Sequence, residues 1–301
     1  MMSKSISRTQ SLGGAVFDVC NHIFLALLSL TMLYPFLNEL MKSFSNNDAV
    51  LAGQVGLWPK GFHTRGYELV FQNPLFASSL RNTVFITLVG TALTVVLVLL
   101  TAFPLSRKGL PGRKFIFLYF LFTMLFSGGM IPTFLTIRNL GLIDSLWALI
   151  LPGAMNVYNM ILAKSYMEQL PESVVEAARI DGCHDVGVLW RIIVPMAKPV
   201  IAVVALFSAV SFWNTYMSGI LYINSTSNYP LQVYVRQMVY GDRNVLDEMV
   251  RSSIDAQYSS EFGSEVVKSA VLITTMLPII VVYPFLQKYF TSGITLGAVK
   301  G

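Results

Sequence analysis

Apolar residues gather into six long runs separated by polar segments, at 17–41, 80–104, 114–137, 144–166, 192–223 and 266–290. A helix needs about 20 apolar residues to cross the roughly 30 Å hydrocarbon layer, so each run predicts one transmembrane helix. The fifth run is longer than one crossing needs and is interrupted by Pro195 and Pro199. The first run, Phe17 to Met41, is too long for the core of a signal peptide. No small-residue cleavage site follows it, so it reads as a retained span. The expected fold class is an all-α membrane protein with six transmembrane helices.

Composition sharpens this picture. Of 301 residues, 54% are hydrophobic and 12% charged, against about 25% charged in ordinary soluble domains. A chain this apolar needs lipid to cover its surface. The net charge is +5, with the basic residues beside apolar runs, which suits a membrane surface rather than nucleic acid. The short loop Arg107-Lys108-Gly109-Leu110-Pro111-Gly112-Arg113-Lys114 is rich in cations and is therefore expected in the cytoplasm. The N-terminus, the 165–191 segment and the C-terminus then face inward, and 42–79, 138–143 and 224–265 face outward.

Glu39, Arg81 and Lys164 fall near expected span ends, and no run carries a mid-membrane Asp, Glu or Lys. A secondary, ion-coupled carrier usually needs such a group. That class is the alternative reading, and this pattern opposes it. No G-x-x-x-x-G-K-[ST] loop is present, so ATP, if it supplies the energy, is bound by another chain. Cys20 and Cys183 read as free thiols, and the scattered His22, His63 and His184 show no metal-ligand spacing.

The most informative stretch lies on the expected cytoplasmic side. It reads Pro171-Glu172-Ser173-Val174-Val175-Glu176-Ala177-Ala178-Arg179-Ile180-Asp181-Gly182, runs on to Trp190, and ends Arg191-Ile192-Ile193-Val194-Pro195. It predicts a short helix, a turn and a second short helix entering span five. Pro171 suits a first helical position, and Ser173 with Glu176 has capping-box spacing. Gly182 can adopt the left-handed conformation that ends a helix. Ala177 and Ala178 leave a small-residue face that another surface could approach closely.

This stretch resembles the hallmark of ABC importer permeases: E-A-A, three residues, G, nine residues, then I-x-L-P. Glu176-Ala177-Ala178, Gly182 and Ile192-Ile193-Val194-Pro195 match its spacing, with Val194 in place of Leu. Trp213-Asn214-Thr215-Tyr216 also fits a W-N-x-[FY] pattern of these permeases. The ending Gly297-Ala298-Val299-Lys300-Gly301 fits the tail of one carbohydrate-uptake subunit. Within that group the chain is similar to permeases of oligosaccharide, alginate and rhamnogalacturonan systems.

The resemblance implies a MetI-like bundle with a cytoplasmic coupling helix. It divides the chain into a cytoplasmic segment 1–16, a first helix and outer loop 17–79, a transmembrane domain 80–290 and a cytoplasmic tail 291–301. It implies a bacterial inner-membrane location with both termini in the cytoplasm. It also implies a second, homologous permease chain, two ATPase subunits that bind ATP and Mg, and an extracytoplasmic binding protein that delivers sugar. Glu176, Ala177, Ala178, Asp181, Gly182 and Pro195 would couple to an ATPase, and the tail residues Gly297, Lys300 and Gly301 would reach the ATPase interface.

Sugars call for amides, hydroxyls and aromatic faces. Span four offers Asn156, Tyr158 and Asn159, with the two asparagines three apart and so on one helical face. Span five offers Trp213, Asn214 and Tyr216. The same residues could instead bond helix to helix. In the outer segment 224–265, Leu231, Val235, Met238 and Val239 predict a short amphipathic helix. That segment could probe a binding protein or cap the bundle, and Trp58-Pro59-Lys60-Gly61-Phe62 reads as structural.

Overall fold

The computed structural model describes residues 12–241 and 263–298. Every regular element among them is helical. The chain divides into two compact units, Met1–Val70 with Asp242–Ile273, and Phe71–Gly241 with Thr274–Gly301.

In the first unit, α1 (Leu12–Ser43) carries the first apolar run and keeps its large apolar side chains exposed across Val16–Leu37. Its last turns are pinned by polar contacts. Glu39 pairs with Lys42 at 2.8 Å and accepts a hydrogen bond from Ser269 Oγ at 2.7 Å. Asn38 Nδ2 donates to the carbonyls of Val55 and Gly56. After α2 (Asn47–Leu51), the Trp58–Phe62 segment folds back, and the Phe62 ring stacks on Phe44 with centroids 5.3 Å apart. The next element, α3 (Arg65–Gln72), starts beside it, and its Tyr67 hydroxyl meets Ser43 Oγ at 2.7 Å.

The second unit is built on α4 (Pro74–Ser106). Asn73 caps it by accepting from Leu75 N at 2.8 Å, and Pro74 sits at the first position, where no N–H is needed. Ser79, Thr83, Ile86, Gly90, Thr94, Val98 and Ala102 recur every three or four residues and form its buried stripe.

The expected third span is two helices, α5 (Arg113–Leu125) and α6 (Met130–Asn139), bent by 108°. The break is Ser127-Gly128-Gly129, and Gly129 holds φ 89°, ψ 170°, a region essentially restricted to glycine. The expected fourth span is also broken. It comprises α7 (Trp147–Ile150), a 3₁₀ turn at Leu151–Gly153, and α8 (Val157–Met167). At 1.5 Å per residue α8 covers only about 16 Å.

The fifth run is divided at Ala197. Before that point in the chain come α9 (Glu172–Ile180), α10 (Asp185–Val188), a π turn at Leu189–Ile193 and α11 (Val194–Met196). Beyond an 86° bend runs α12 (Lys198–Trp213), and a separate α13 (Met217–Tyr222) follows. Pro195 and Pro199 flank the bend and cannot donate the backbone hydrogen bonds that would straighten it. Next comes α14 (Leu231–Tyr240). Finally α15 (Ser264–Ala298) carries the sixth run and continues past residue 290 through Gly297. Lys300, Gly301 and residues 242–262 lie outside the described residues.

Among the described residues, three helices are long and apolar enough to cross a membrane singly: Val16–Ser43, Pro74–Ser106 and Ser264–Val282. The count rises to five when each bent pair is one span. Three of the six expected spans are broken among the described residues: the fifth at the prolines the sequence pointed to, the third at Gly128-Gly129 and the fourth before Asn156.

Candidate functional site

The helix–turn–helix expected at 171–196 forms, but its start differs from expectation: Pro171 is the cap and not the first helical residue, and Ser173 lies within the helix, so no Ser173–Glu176 capping box caps it. Pro171 takes the cap position of α9 with extended ψ of 124°, and helical geometry starts at Glu172. Gly182 adopts φ +79°. Its N–H bonds Arg179 O at 3.0 Å, and the Cys183 N–H reaches Ala178 O at 2.9 Å. These two bonds are the Schellman closure that a C-terminal glycine permits. Arg179 Nη2 then meets Asp185 Oδ1 at 2.9 Å and ties α9 to α10.

The two faces of α9 differ. Val175 and Ala178 point inward and join a core containing Val98, Ala102, Met160, Val188, Ile193 and Val204. Glu176, Ala177, Asp181 and Gly182 are exposed, as is Pro195. Ile180 is 86% and Val186 67% exposed. Of the two alanines expected on one contact face, only Ala177 is outward, because Ala178 lies a further 100° around the helix.

A cleft of about 500 Å³ separates α9 and α10 from the turn after α4. Arg107 lines it with its guanidinium 5.0 Å over the Phe103 ring, and Arg107 Nε and Nη2 are buried without a hydrogen-bond partner. Desolvation pulls Arg107 below the usual guanidinium range; Glu172 offsets this and Arg179 adds to it. Nearby, Arg113 pairs with Glu168, which also holds Lys164 at 2.9 Å. The cationic 107–114 loop and the 165–191 segment thus occupy the same end of this unit.

The opposite end of α4 is closed by a polar staple. Asp144, at φ 64°, accepts from the N–H groups of Asn224 at 3.0 Å and Ser225 at 2.9 Å, and from Ser225 Oγ. Asn228 Nδ2 donates to the Asp144 carbonyl at 2.9 Å. These bonds, the Ser225 hydroxyl first, hold the Asp144 carboxyl below the usual range. A depressed carboxylate contributes stability above its unfolded pKa, and that contribution is lost as pH falls through the lower folded value. We expect Asp144→Asn to lower the melting temperature by a few degrees at pH 7. The gap to the parent protein should narrow below about pH 4, which thermal unfolding of the purified protein at both pH values would measure. Asn224-Ser225-Thr226, which resembles a glycosylation sequon, supplies Asp144 with its donors.

The same end carries α14, stapled to α4. Leu231 N donates to Thr83 Oγ1 at 2.7 Å, Asn73 Nδ2 to Tyr234 OH at 3.2 Å, and Asn82 Nδ2 to Ser227 O at 2.8 Å. Burial pushes the Tyr234 hydroxyl up to about 12. The buried face is Leu231, Val233, Tyr234 and Met238. Val235 and Val239, expected on it, are only half-buried.

The expected sugar-path residues do not converge. Asn156 lies outside the helix as the cap of α8, with Oδ1 accepting from Asn159 N at 3.0 Å, so the two asparagines do not share a helical face. Asn159 is 2% exposed and donates to Ser208 Oγ at 3.2 Å, a bond between helices. Tyr158 is exposed beside Phe207. Trp213 is 8% exposed, and its indole N–H has no partner. It lines an apolar groove of about 240 Å³ with Leu88, Val210 and Pro278. Asn214 caps α12 by donating to Val210 O at 2.8 Å, and Tyr216 lies under Arg236, 5.4 Å from its guanidinium. Sequence reasoning missed Arg107, Asp144 and Arg236. The positive charges of the first and last were visible, but not the surfaces against which they fold.

Residues 95–296 match the family described as binding-protein-dependent transport system inner membrane component. Protein LplC of Bacillus subtilis (strain 168) is 41% identical, with 96% of each chain covered. The polygalacturonan/rhamnogalacturonan transport system permease protein YtcP of the same organism is 40% identical, over 95% of this chain and 99% of that one. Among solved structures, a bacterial ABC transporter involved in import of the acidic polysaccharide alginate matches with a TM-score of 0.85 and 32% identity. It covers 94% of this chain and 100% of that one.

Proposed function

Because the chain belongs to the binding-protein-dependent transport system inner membrane component family, we propose that it forms half of the translocation pathway of an ATP-driven oligosaccharide importer. It is a multi-pass membrane transport subunit. The names of YtcP and of the alginate transporter support a sugar as the solute. In this reading the six crossings are α1, α4, the bent α5–α6, the broken α7–α8, α12 and α15. The 107–114 loop, the 172–190 helix pair and both termini face the cytoplasm. A second permease completes the pathway, two ATPase subunits hold ATP and Mg, and a binding protein delivers the sugar.

The observation that carries the reading is the division of α9 between two surfaces. Val175 and Ala178 belong to the core that extends along α4, α8 and α12. Glu176, Ala177 and Ile180 are left outside for a partner. Asp181 and Gly182 set the turn, and Pro195 opens the helix beneath the bend. Gly297, Lys300 and Gly301 are assigned to the ATPase interface on the resemblance alone. Membrane vesicles carrying both permeases, with and without the ATPase subunits, provide the test. Uptake of sugar from the loaded binding protein should require both the ATPase and ATP. Uptake that persists without the ATPase would instead favour an ion-coupled carrier.

A further inference from the structure

We propose that the pocket between α13 and α14 is a subsite for a carboxylate-bearing sugar unit, with Arg236 as the group that recognises the carboxylate. The inference rests on the oligosaccharide reading above and deepens it to a substrate class. The pocket encloses about 310 Å³, within the size range of small-ligand sites. Arg236, Gln237, Tyr229 and Tyr240 supply its polar groups over Ile223 and Val233. No Asp or Glu lines it among the described residues. Arg236 makes no ion pair among the described residues; its guanidinium lies over the Tyr216 ring. That contact holds the planar fork by a cation–π attraction and leaves its donors for a planar anion.

The other groups suit a sugar ring. Tyr240 is 81% exposed on α14 and offers an aromatic face to C–H groups. The Gln237 amide can both donate to and accept from hydroxyls. The walls are rigid. Pro230 and Val233 approach so closely that a Cβ on Gly219 would come within 2.7 Å of each. Bonds from Thr83 and the cap residue Asn73 to α14, and from Asn82 to the segment that leads into it, fix the position of Arg236. A bidentate guanidinium–carboxylate pair fits this arrangement; an uncharged sugar would forgo that charge-assisted pair.

The test uses the assembled transporter in proteoliposomes with its binding protein. Two probes are compared, digalacturonate and its neutral methyl ester. Arg236→Gln should cut uptake of digalacturonate about tenfold, mainly through KM, and change uptake of the ester less than twofold. Arg236→Lys should recover part of the loss. Equal losses for both probes would make Arg236 a docking contact for the binding protein or a structural residue, and would overturn the proposal. So would unchanged uptake of both, or a parent transporter that takes up the ester but not the acid. A parent transporter that takes up neither these nor any other sugar would remove the oligosaccharide reading itself, and this inference with it.

Discussion

Glu176→Lys and Gly182→Pro should each lower sugar uptake at least a hundredfold while the chain still inserts and assembles. The loss should appear as uncoupling: ATPase activity of the complex should no longer rise when loaded binding protein is added. Moving a two-state equilibrium from 1:99 to 99:1 takes about 5.5 kcal/mol of differential binding, and in the proposed mechanism that difference passes through α9. Glu176 is exposed and makes no ion pair among the described residues, so its reversal leaves the core untouched and repels only what docks below. Gly182 acts differently. Its φ of +79° is closed to proline, whose ring fixes φ near −65°. Proline also removes the N–H that bonds Arg179 O. The turn that aims α10 at the bend is then lost, yet the buried Val175 and Ala178 remain. Gly182→Ala is the graded control, costing about 1 kcal/mol for the left-handed conformation. Paired uptake and ATPase measurements decide the matter; normal transport in the lysine or proline variant would contradict the coupling role.

The second large effect should come from Gly90→Val on α4. A Cβ at Gly90 would lie 2.7 Å from Cε2 and Cζ of Phe212, well inside contact distance. Phe212 is buried and cannot easily swing aside, since Gly153 also packs against its ring, where a Cβ would lie 3.3 Å from Cε1. Overpacking of this kind costs about 1–3 kcal/mol for a single inserted group, and the two extra methyls of valine place it at the upper end. The α4–α12 contact should loosen, with a lower melting temperature and less chain recovered from membranes. Combining Gly90→Ala with Phe212→Leu should recover most of the stability. Failure of that pair to improve on Gly90→Ala alone would show that the ring is not the obstacle.

Much of this organisation was legible in the residues. Six apolar runs marked where helices lie, because hydrophobic length is a direct consequence of bilayer thickness. Gly182 announced its helix end, because a left-handed residue there is almost a glycine monopoly. Continuity was harder to read. Ser127-Gly128-Gly129 and Asn156 sit inside apolar runs, and hydropathy averages over them although each ends a helix locally. Asn156 looked like a hydrogen-bonding wall residue and is a cap, because an Asn side chain serves either use equally well. Asp144 gave no sign of its role, since its partners lie 80 and 81 positions away in the chain. Arg236 and Tyr216 are likewise 20 residues apart, and only the fold of α13 and α14 makes them neighbours.

The bend at Ala197 has a mechanical consequence. Asp185–Met196 and Lys198–Trp213 meet at 86°, so in the coupling role proposed above they would act as a bell crank, a lever that turns a push through nearly a right angle. The longer arm, the 16 residues of α12, is ~24 Å long at 1.5 Å per residue, and a tilt of about 10° would sweep its far end by about 4 Å. Sideways travel at the short arm would thus be converted into opening or narrowing at Trp213, where the chain turns toward Tyr216 and the Arg236 pocket.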